Sequence, residues 1–253
     1  MGNGTICYLI FLIKTIHEEI QMNIGVYSLC WKNINPKLIE LHKKVMSKFD
    51  IEIKYTHQNI DHGEWVNYIL NTEKSDIFLF VDVDCLLLSR GVFEESIKYI
   101  SDGYMIGNAQ VTNCIPAKHD LFCAPSYIGL SREYYESIGR PDARNNSHSD
   151  ICQELTRSAV AREKRIKMYF PTSFQSVPSG GVWRLSSYGY YGVGTIFQNK
   201  TYHLFQSRFE NNIILFEQTA NYILLDRINQ IQKKYCSTDE HFGKLLIEDD
   251  YGH

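Results

Sequence analysis

Two aspartates, Asp82 and Asp84, stand two residues apart at the end of the apolar run Ile77-Phe-Leu-Phe-Val81. The run contains no polar residue, so it reads as a strand covered on both faces, the kind found inside a parallel sheet. Burying two uncompensated carboxylates beside such a strand is expensive. The cost disappears if they meet a cation where the strand leaves the sheet, and hard carboxylate oxygens suit Mn²⁺ or Mg²⁺. Open α/β sheets bind ligands at the carboxyl ends of their strands, which is where this pair falls. The pair therefore predicts a divalent metal carrying a phosphorylated ligand. A structural alternative is that both carboxylates cap the following helix near Ser89 and Glu94.

The elements that must position these residues alternate. Expected are a strand over 24–29, a helix over 36–49, a strand over 51–55, a helix over 63–70 and then the aspartate strand. Pro36 suits a first helical turn, and Leu38, Ile39, Leu41, Val45 and Phe49 keep an approximately helical period. Further on, the pattern predicts a helix over 92–100, a strand over 104–110 and a loop over 111–124 holding Pro116, Lys118, His119 and Asp120. A strand at 127–131, a short helix at 132–138, a helix over 150–162 and a late strand at 168–171 follow. Residues 173–194, rich in Ser, Gly and Tyr, read as a long loop, which in a compact domain is usually a lid or binding loop. The expected fold is α/β, a Rossmann-like single domain with a mostly parallel central sheet flanked by helices. No G-x-G-x-x-G follows the first strand, which disfavours a dinucleotide cofactor.

Within that frame, residues 1–21 read as an extension of uncertain role and 22–253 as the domain. The domain divides into a nucleotide-binding half over about 22–90, an acceptor and catalytic half over about 91–210 and a C-terminal helical tail over about 211–253. The chain has 253 residues, 44% hydrophobic and 22% charged, with net charge −3, enough for one large core. The near-neutral balance, with no basic stripe, argues against a nucleic acid partner. Seven cysteines, an odd number without CxxC pairs, read as reduced thiols of an intracellular, cytoplasmic protein. The apolar run 6–13 is too short to span a bilayer, which takes ~20 residues, and no basic stretch or cleavage site flanks it. Three sequons, at Asn3, Asn145 and Asn199, are read as chance in such a context.

The strand ending in Asp82-Val-Asp84 resembles the DxD signature of nucleotide-sugar glycosyltransferases of the GT-A fold. The same pattern also opens haloacid dehalogenase-like phosphatases, where the first Asp is a phosphoryl-accepting nucleophile. Those enzymes carry it on their opening strand, commonly with Thr or Val two positions after the second Asp; here two strand-helix units precede it and that position is Leu86. Taken with Asp61-His-Gly-Glu-Trp65, Ser149-Asp150, Gly192-Val-Gly-Thr195 and Tyr202-His-Leu-Phe-Gln-Ser-Arg208, the run from Met22 to about Phe209 resembles small GT-A-like glycosyltransferases of bacteria, phages and large DNA viruses. The resemblance implies a transferase that uses Mn²⁺ or Mg²⁺, a nucleoside diphosphate sugar donor, uridine-linked, and a glycan or other hydroxyl acceptor, with inversion at the anomeric carbon.

Site residues follow from the same resemblance. His203 becomes the third metal ligand beside Asp82 and Asp84, because a late histidine completes the metal shell in GT-A enzymes. Asp82 would also reach the ribose or a metal-bound water. Asp150, at a helix start, becomes the general base, with Glu154 one turn on as the fallback. Arg208 would pair with the diphosphate through its planar fork. His62 and Gly63 would form a small site beside the nucleotide, and Ser28 and Tyr55 would meet the base and ribose. Each has a plain alternative: a core histidine at 203, a surface ion pair at Arg208, a helix-dipole carboxylate at Asp150, a simple turn at Gly192-Val-Gly-Thr195. Retention of configuration and a non-catalytic sugar-nucleotide-binding domain both stay open, and no motif identifies the sugar.

Overall fold

The computed structural model describes residues 22–112, 120–175, 181–230 and 236–237. The extension over 1–21, Pro116, Lys118 and His119 of the expected loop, and residues 231–235 and 238–253 of the C-terminal tail lie outside the described residues.

The first elements are two strand-helix units leading to the aspartate strand: β1 (Ile24–Cys30), α1 (Pro36–Lys48), β2 (Lys54–His57), α2 (His62–Thr72) and β3 (Ile77–Val81). Pro36 opens α1 as expected, where its missing N–H costs nothing, and the Asn35 side chain accepts from Lys37 N at 2.9 Å. Asp61 caps α2, accepting from Gly63 N at 2.9 Å and Glu64 N at 3.2 Å. β2 starts three residues later than expected. The chain is still turning off α1 at Ile51, whose N donates to Met46 O at 3.0 Å, so Ile51 packs as a core plug rather than as a ladder residue.

Four further strands and helices complete the main layer: α3 (Arg90–Ser101), β5 (Met105–Val111), β6 (Leu121–Ser131) and β7 (Ile166–Tyr169). The sheet order is β2-β1-β3-β6-β5-β7. β1 pairs in parallel with β2 and β3, and β5 with β7, while β6 runs against both of its neighbours. This is the expected mostly parallel, Rossmann-like sheet, with one reversed strand. The expected loop over 111–124 is shorter than predicted, because β6 already begins at Leu121. A reversed strand beside β5 needs no helical crossover, and that local pairing carries no periodicity signal of its own.

A second sheet abuts the first, in the order β13-β8-β11-β12-β4, antiparallel throughout. Its strands are β4 (Cys85–Leu87), β8 (Pro171–Gln175), β11 (Gly194–Phe197), β12 (Thr201–Leu204) and β13 (Cys236–Ser237). The stretch 173–194 is thus not one long loop. Besides ends of β8 and β11 it carries a two-stranded ribbon, β9 (Val182–Arg184) and β10 (Tyr190–Gly192), whose short strands the Ser/Gly-rich composition masked. Short helices α4 (Arg132–Ser137) and α5 (Gln153–Val160) and the long α6 (Glu210–Leu224) finish the described chain.

All five residues of β3 are at most 1% exposed. Ile77, Leu79 and Val81 enter one core with α1 and α6, and Phe78 and Phe80 enter the other with α2 and α5. The uninterrupted apolar run is therefore a strand with both faces covered, as its composition required. Phe216 of α6 is fully buried, its ring centroid 6.2 Å from that of Tyr202, the residue before His203. Phe216→Ala is expected to lower stability by about 3–5 kcal/mol, read from urea denaturation, by leaving a cavity under β12.

Candidate metal centre

Asp82 and Asp84 occupy the turn by which the chain leaves the central sheet for the second one. Asp82 N donates to Ser126 O at 3.0 Å, and Cys85 N closes back on Asp82 O at 2.8 Å. β4 then pairs with β12, placing His203 opposite Cys85, and Leu204 N donates to Asp84 O at 3.0 Å. The β4–β12 ladder thus carries a histidine from more than a hundred residues downstream to the aspartate turn. One ligand atom from each of Asp82, Asp84 and His203 lies within 4.8 Å of the others. The carboxylates do not cap α3: Ser89 is its N-cap and makes no side-chain cap bond, and both carboxylates are engaged elsewhere.

The environment of the two carboxylates differs. Asp84 is 6% exposed; its Oδ2 accepts from Ser207 Oγ at 2.6 Å, while Oδ1 is buried, 3.4 Å from His203 Nε2. That contact lacks hydrogen-bond alignment, leaving Oδ1 unpartnered, so we read the influence of His203 as that of a neighbouring imidazole rather than a formed bond. Burial alone would raise the Asp84 pKa, but His203 and then Ser207 overrule it and hold the carboxyl below its ordinary range. Asp82 goes the other way: burial first, and the Asp84 charge second, push its pKa well up. Two carboxyls with pKa values driven apart behave as a pair in which one proton stands in for a missing positive charge.

This donor set fits a hard divalent cation. Two carboxylates and one imidazole converge, the buried Asp84 Oδ1 has no other partner, and three protein ligands leave positions for phosphate oxygens. Asp82, Asp84 and His203 are therefore brought together as the sequence suggested.

Asp150 lies in the loop ahead of α5. Its side chain Oδ1 accepts from Ile151 N at 2.8 Å and its N–H donates to Gln153 Oε1 at 2.8 Å. It precedes α5 rather than sitting in it: the N-cap is Cys152, held at φ 63, an uncommon conformation for a residue other than glycine. The buried Cys152 thiol is pushed up chiefly by burial, and then by the charges of Asp82 and Asp150. Tyr191 is likewise pushed up to about 12 by burial, with Asp150 adding to it. Glu154 is committed to Arg157 at 3.0 Å, which weakens it as a fallback base.

The remaining candidates are dispersed. His62 comes into the centre, with Nε2 3.3 Å from Asp82 Oδ1. Gly63 does not offer open backbone, because a Cβ there would lie 2.5 Å from Arg144 Cα and 2.6 Å from Ala143 O; its smallness serves packing. Ser28 is fully buried with its Oγ unpartnered, and the partly buried Tyr55 has its hydroxyl 2.7 Å from His42 Nδ1. Arg208 is exposed in the turn after β12. Gly192 and Gly194 admit the close approach of β8 and Tyr202, and Thr195 Oγ1 is spent on Gly192 O at 2.7 Å, so this segment is a packed strand junction and not a phosphate cradle.

Sequence reasoning missed two residues. Ser207 lay inside the segment singled out for His203 and Arg208, but nothing in its type showed that it, and not the arginine, turns inward. His42 is fully buried on α1 beneath Cys85, and its helical spacing beside Leu38, Leu41 and Val45 made it look like ordinary core.

No protein-family profile and no curated sequence matches this chain. Among solved structures, similarity is found to A197 from STIV (13% identity, 72% of this chain and 94% of that one, TM-score 0.41). It is also found to 4-diphosphocytidyl-2C-methyl-D-erythritol synthase from Anaerococcus prevotii (10% identity, 59% of this chain and 89% of that one, TM-score 0.43). The bifunctional IspDF from Campylobacter jejuni gives 12% identity over 58% of this chain and 49% of that one, with a TM-score of 0.38. Scores this low carry no argument about activity. Among the described residues no helix is long and apolar enough to cross a membrane, and Cys30, Cys85, Cys123 and Cys152 are free and buried.

Burial lowers the His42 pKa from 6.5 to about 3 and that of His62 to about 4, with the Asp84 charge opposing in both. A histidine depressed in the folded state stabilises fully above its unfolded pKa and loses that contribution as pH falls toward its folded pKa. The part of the stability that depends on these two histidines is therefore expected to decline as pH falls from about 6.5 toward 4 for His62 and toward 3 for His42, while Asp82, whose carboxyl is raised, works in the opposite direction. Urea midpoints measured across that window should show a shallower acid limb for His42→Gln than for the wild type.

Proposed function

We propose that this chain is a metal-dependent glycosyltransferase of the GT-A type, acting on a nucleoside diphosphate sugar, uridine-linked, and a glycan or other hydroxyl acceptor. The observation that carries the reading is the convergence of Asp82, Asp84 and His203 where the chain leaves the carboxyl end of β3. Such a crevice is where open α/β sheets bind their ligands. Asp84 Oδ1, Asp82 and His203 Nε2 would hold Mn²⁺ or Mg²⁺, which supplies charge neutralisation for a departing diphosphate.

The chain's own residues divide the remaining work. Ser207 fixes one Asp84 oxygen and so aims the other. Asp150 is assigned the acceptor proton: the acceptor oxygen bonds to the anomeric carbon, the bond from that carbon to the diphosphate oxygen breaks, and the proton passes to the Asp150 carboxylate. The product inverts configuration. The haloacid dehalogenase-like alternative finds less support, because the aspartate strand follows two strand-helix units within the described fold.

Calorimetric titration of UDP with and without Mn²⁺ tests the binding half of this reading. UDP binding that requires Mn²⁺ and is lost in Asp84→Ala is the expected result; metal-independent binding, or none with UDP or GDP, would overturn it. Asp150→Asn should retain Mn²⁺-dependent UDP binding while donor turnover falls by about 10²–10⁴-fold. Normal turnover in that variant would remove Asp150 from the mechanism.

A further inference from the structure

The segment Asp61-His-Gly-Glu-Trp65 is accounted for residue by residue once its surroundings are followed. Asp61 caps α2. Trp65 is 1% exposed, its ring 5.5 Å from that of Phe80 and edge-on to it, and its Nε1 donates to Thr56 Oγ1 at 3.0 Å. Gly63 admits the backbone of Ala143 and Arg144. His62 and Trp65 are one helical turn apart on the same face, as Phe80 and Asp82 are two residues apart on one strand path. With Trp65 locked on Phe80, His62 must project at Asp82, and its Nε2 is found 3.3 Å from Asp82 Oδ1. At that separation the contact lacks hydrogen-bond alignment, and the buried nitrogen has no other partner among the described residues. His62 is not part of the group whose ligand atoms all lie within 4.8 Å of one another, so it faces Asp82 from outside the ligand set.

We infer that His62 is a positioning residue for the metal centre: once a cation is bound and Asp82 is ionised, the Nε2–H that already faces Asp82 Oδ1 turns into line and donates to it, fixing which oxygen of that carboxylate is presented to the cation. The role rests on the metal-centre reading above and goes beyond it, because it removes His62 from contact with the nucleotide or sugar. Asp84 already has such a partner in Ser207, which occupies Oδ2 and leaves Oδ1 free. His62 would give Asp82 the matching partner, so that in the loaded centre each carboxylate has one oxygen held by a protein donor and one left for the metal. Outer partners of this kind typically contribute 10–100-fold in metal affinity.

The test is Mn²⁺ affinity in the absence of nucleotide, followed by electron spin resonance of free Mn²⁺, on wild type, His62→Ala and His62→Gln. The expected result is a loss of about 10–100-fold in His62→Ala, with most of it restored by the glutamine amide, which can donate in the same place. Spin-echo modulation of the bound Mn²⁺ should report one coordinated imidazole nitrogen, from His203, unchanged in the variants. Unaltered Mn²⁺ affinity in His62→Ala, with UDP affinity reduced at saturating metal, would overturn the role and return His62 to the nucleotide. Two coordinated nitrogens in the wild type, falling to one in the variants, would overturn it in favour of direct ligation. Wild-type protein that binds no Mn²⁺ would instead remove the centre itself, and this role with it.

Discussion

Two carboxylates two residues apart in a buried turn set the terms for this molecule. Neither can be left ionised there without a compensating charge, and without one the pair keeps a proton, which burial and the Asp84 charge place on Asp82. A hydrophobic pair in the same turn would cost nothing of the kind. The turn is nevertheless flanked by fully buried strands on either side, β3 and β4. A site held ready for a cation accounts for the cost, since binding releases what burial withholds.

The rest of the fold delivers partners to that turn. The β4–β12 ladder brings His203 and, one turn beyond, Ser207. Helix α2 works from the opposite side. Trp65 and His62 fasten it to β3 and Asp82, and Asn67 donates to Asp142 Oδ1 at 2.6 Å and accepts from Ala143 N at 2.9 Å. Ala143 O in turn accepts from Cys152 N at 2.8 Å, which ties the loop bearing Asp150 to the same helix. The aspartate turn and the loop bearing Asp150 are thus both tied to α2.

How far the sequence could be read follows from which interactions are local. The strand β3 and helix α1 were legible because burial on both faces and a proline at the first helical position leave periodic or positional marks. The aspartate pair was legible because charge inside an apolar run needs a reason. The second half of β6 was legible as a strand, but its earlier start and reversed direction, the second sheet and the β9–β10 ribbon were not, since antiparallel pairing between distant segments writes nothing into the spacing of either. The same limit applies within the site. The likeness of Tyr202 to Arg208 to a metal-binding segment drew attention to His203, but whether Ser207 or Arg208 turns toward Asp84 depends on the turn after β12. Gly63 and Gly192 looked like backbone sites for a ligand; the close approach of other chain segments explains both.

The account's central claim is that Asp82, Asp84 and His203 hold one divalent cation. Crystals soaked in Mn²⁺ with UDP, measured at the manganese absorption edge, address it directly. The prediction is an anomalous peak bonded to carboxylate oxygens of Asp82 and Asp84 and to His203 Nε2, with diphosphate oxygens completing its shell. A peak elsewhere, or an Asp82–Asp84 turn that binds nothing with both carboxylates turned to protein partners, would contradict it.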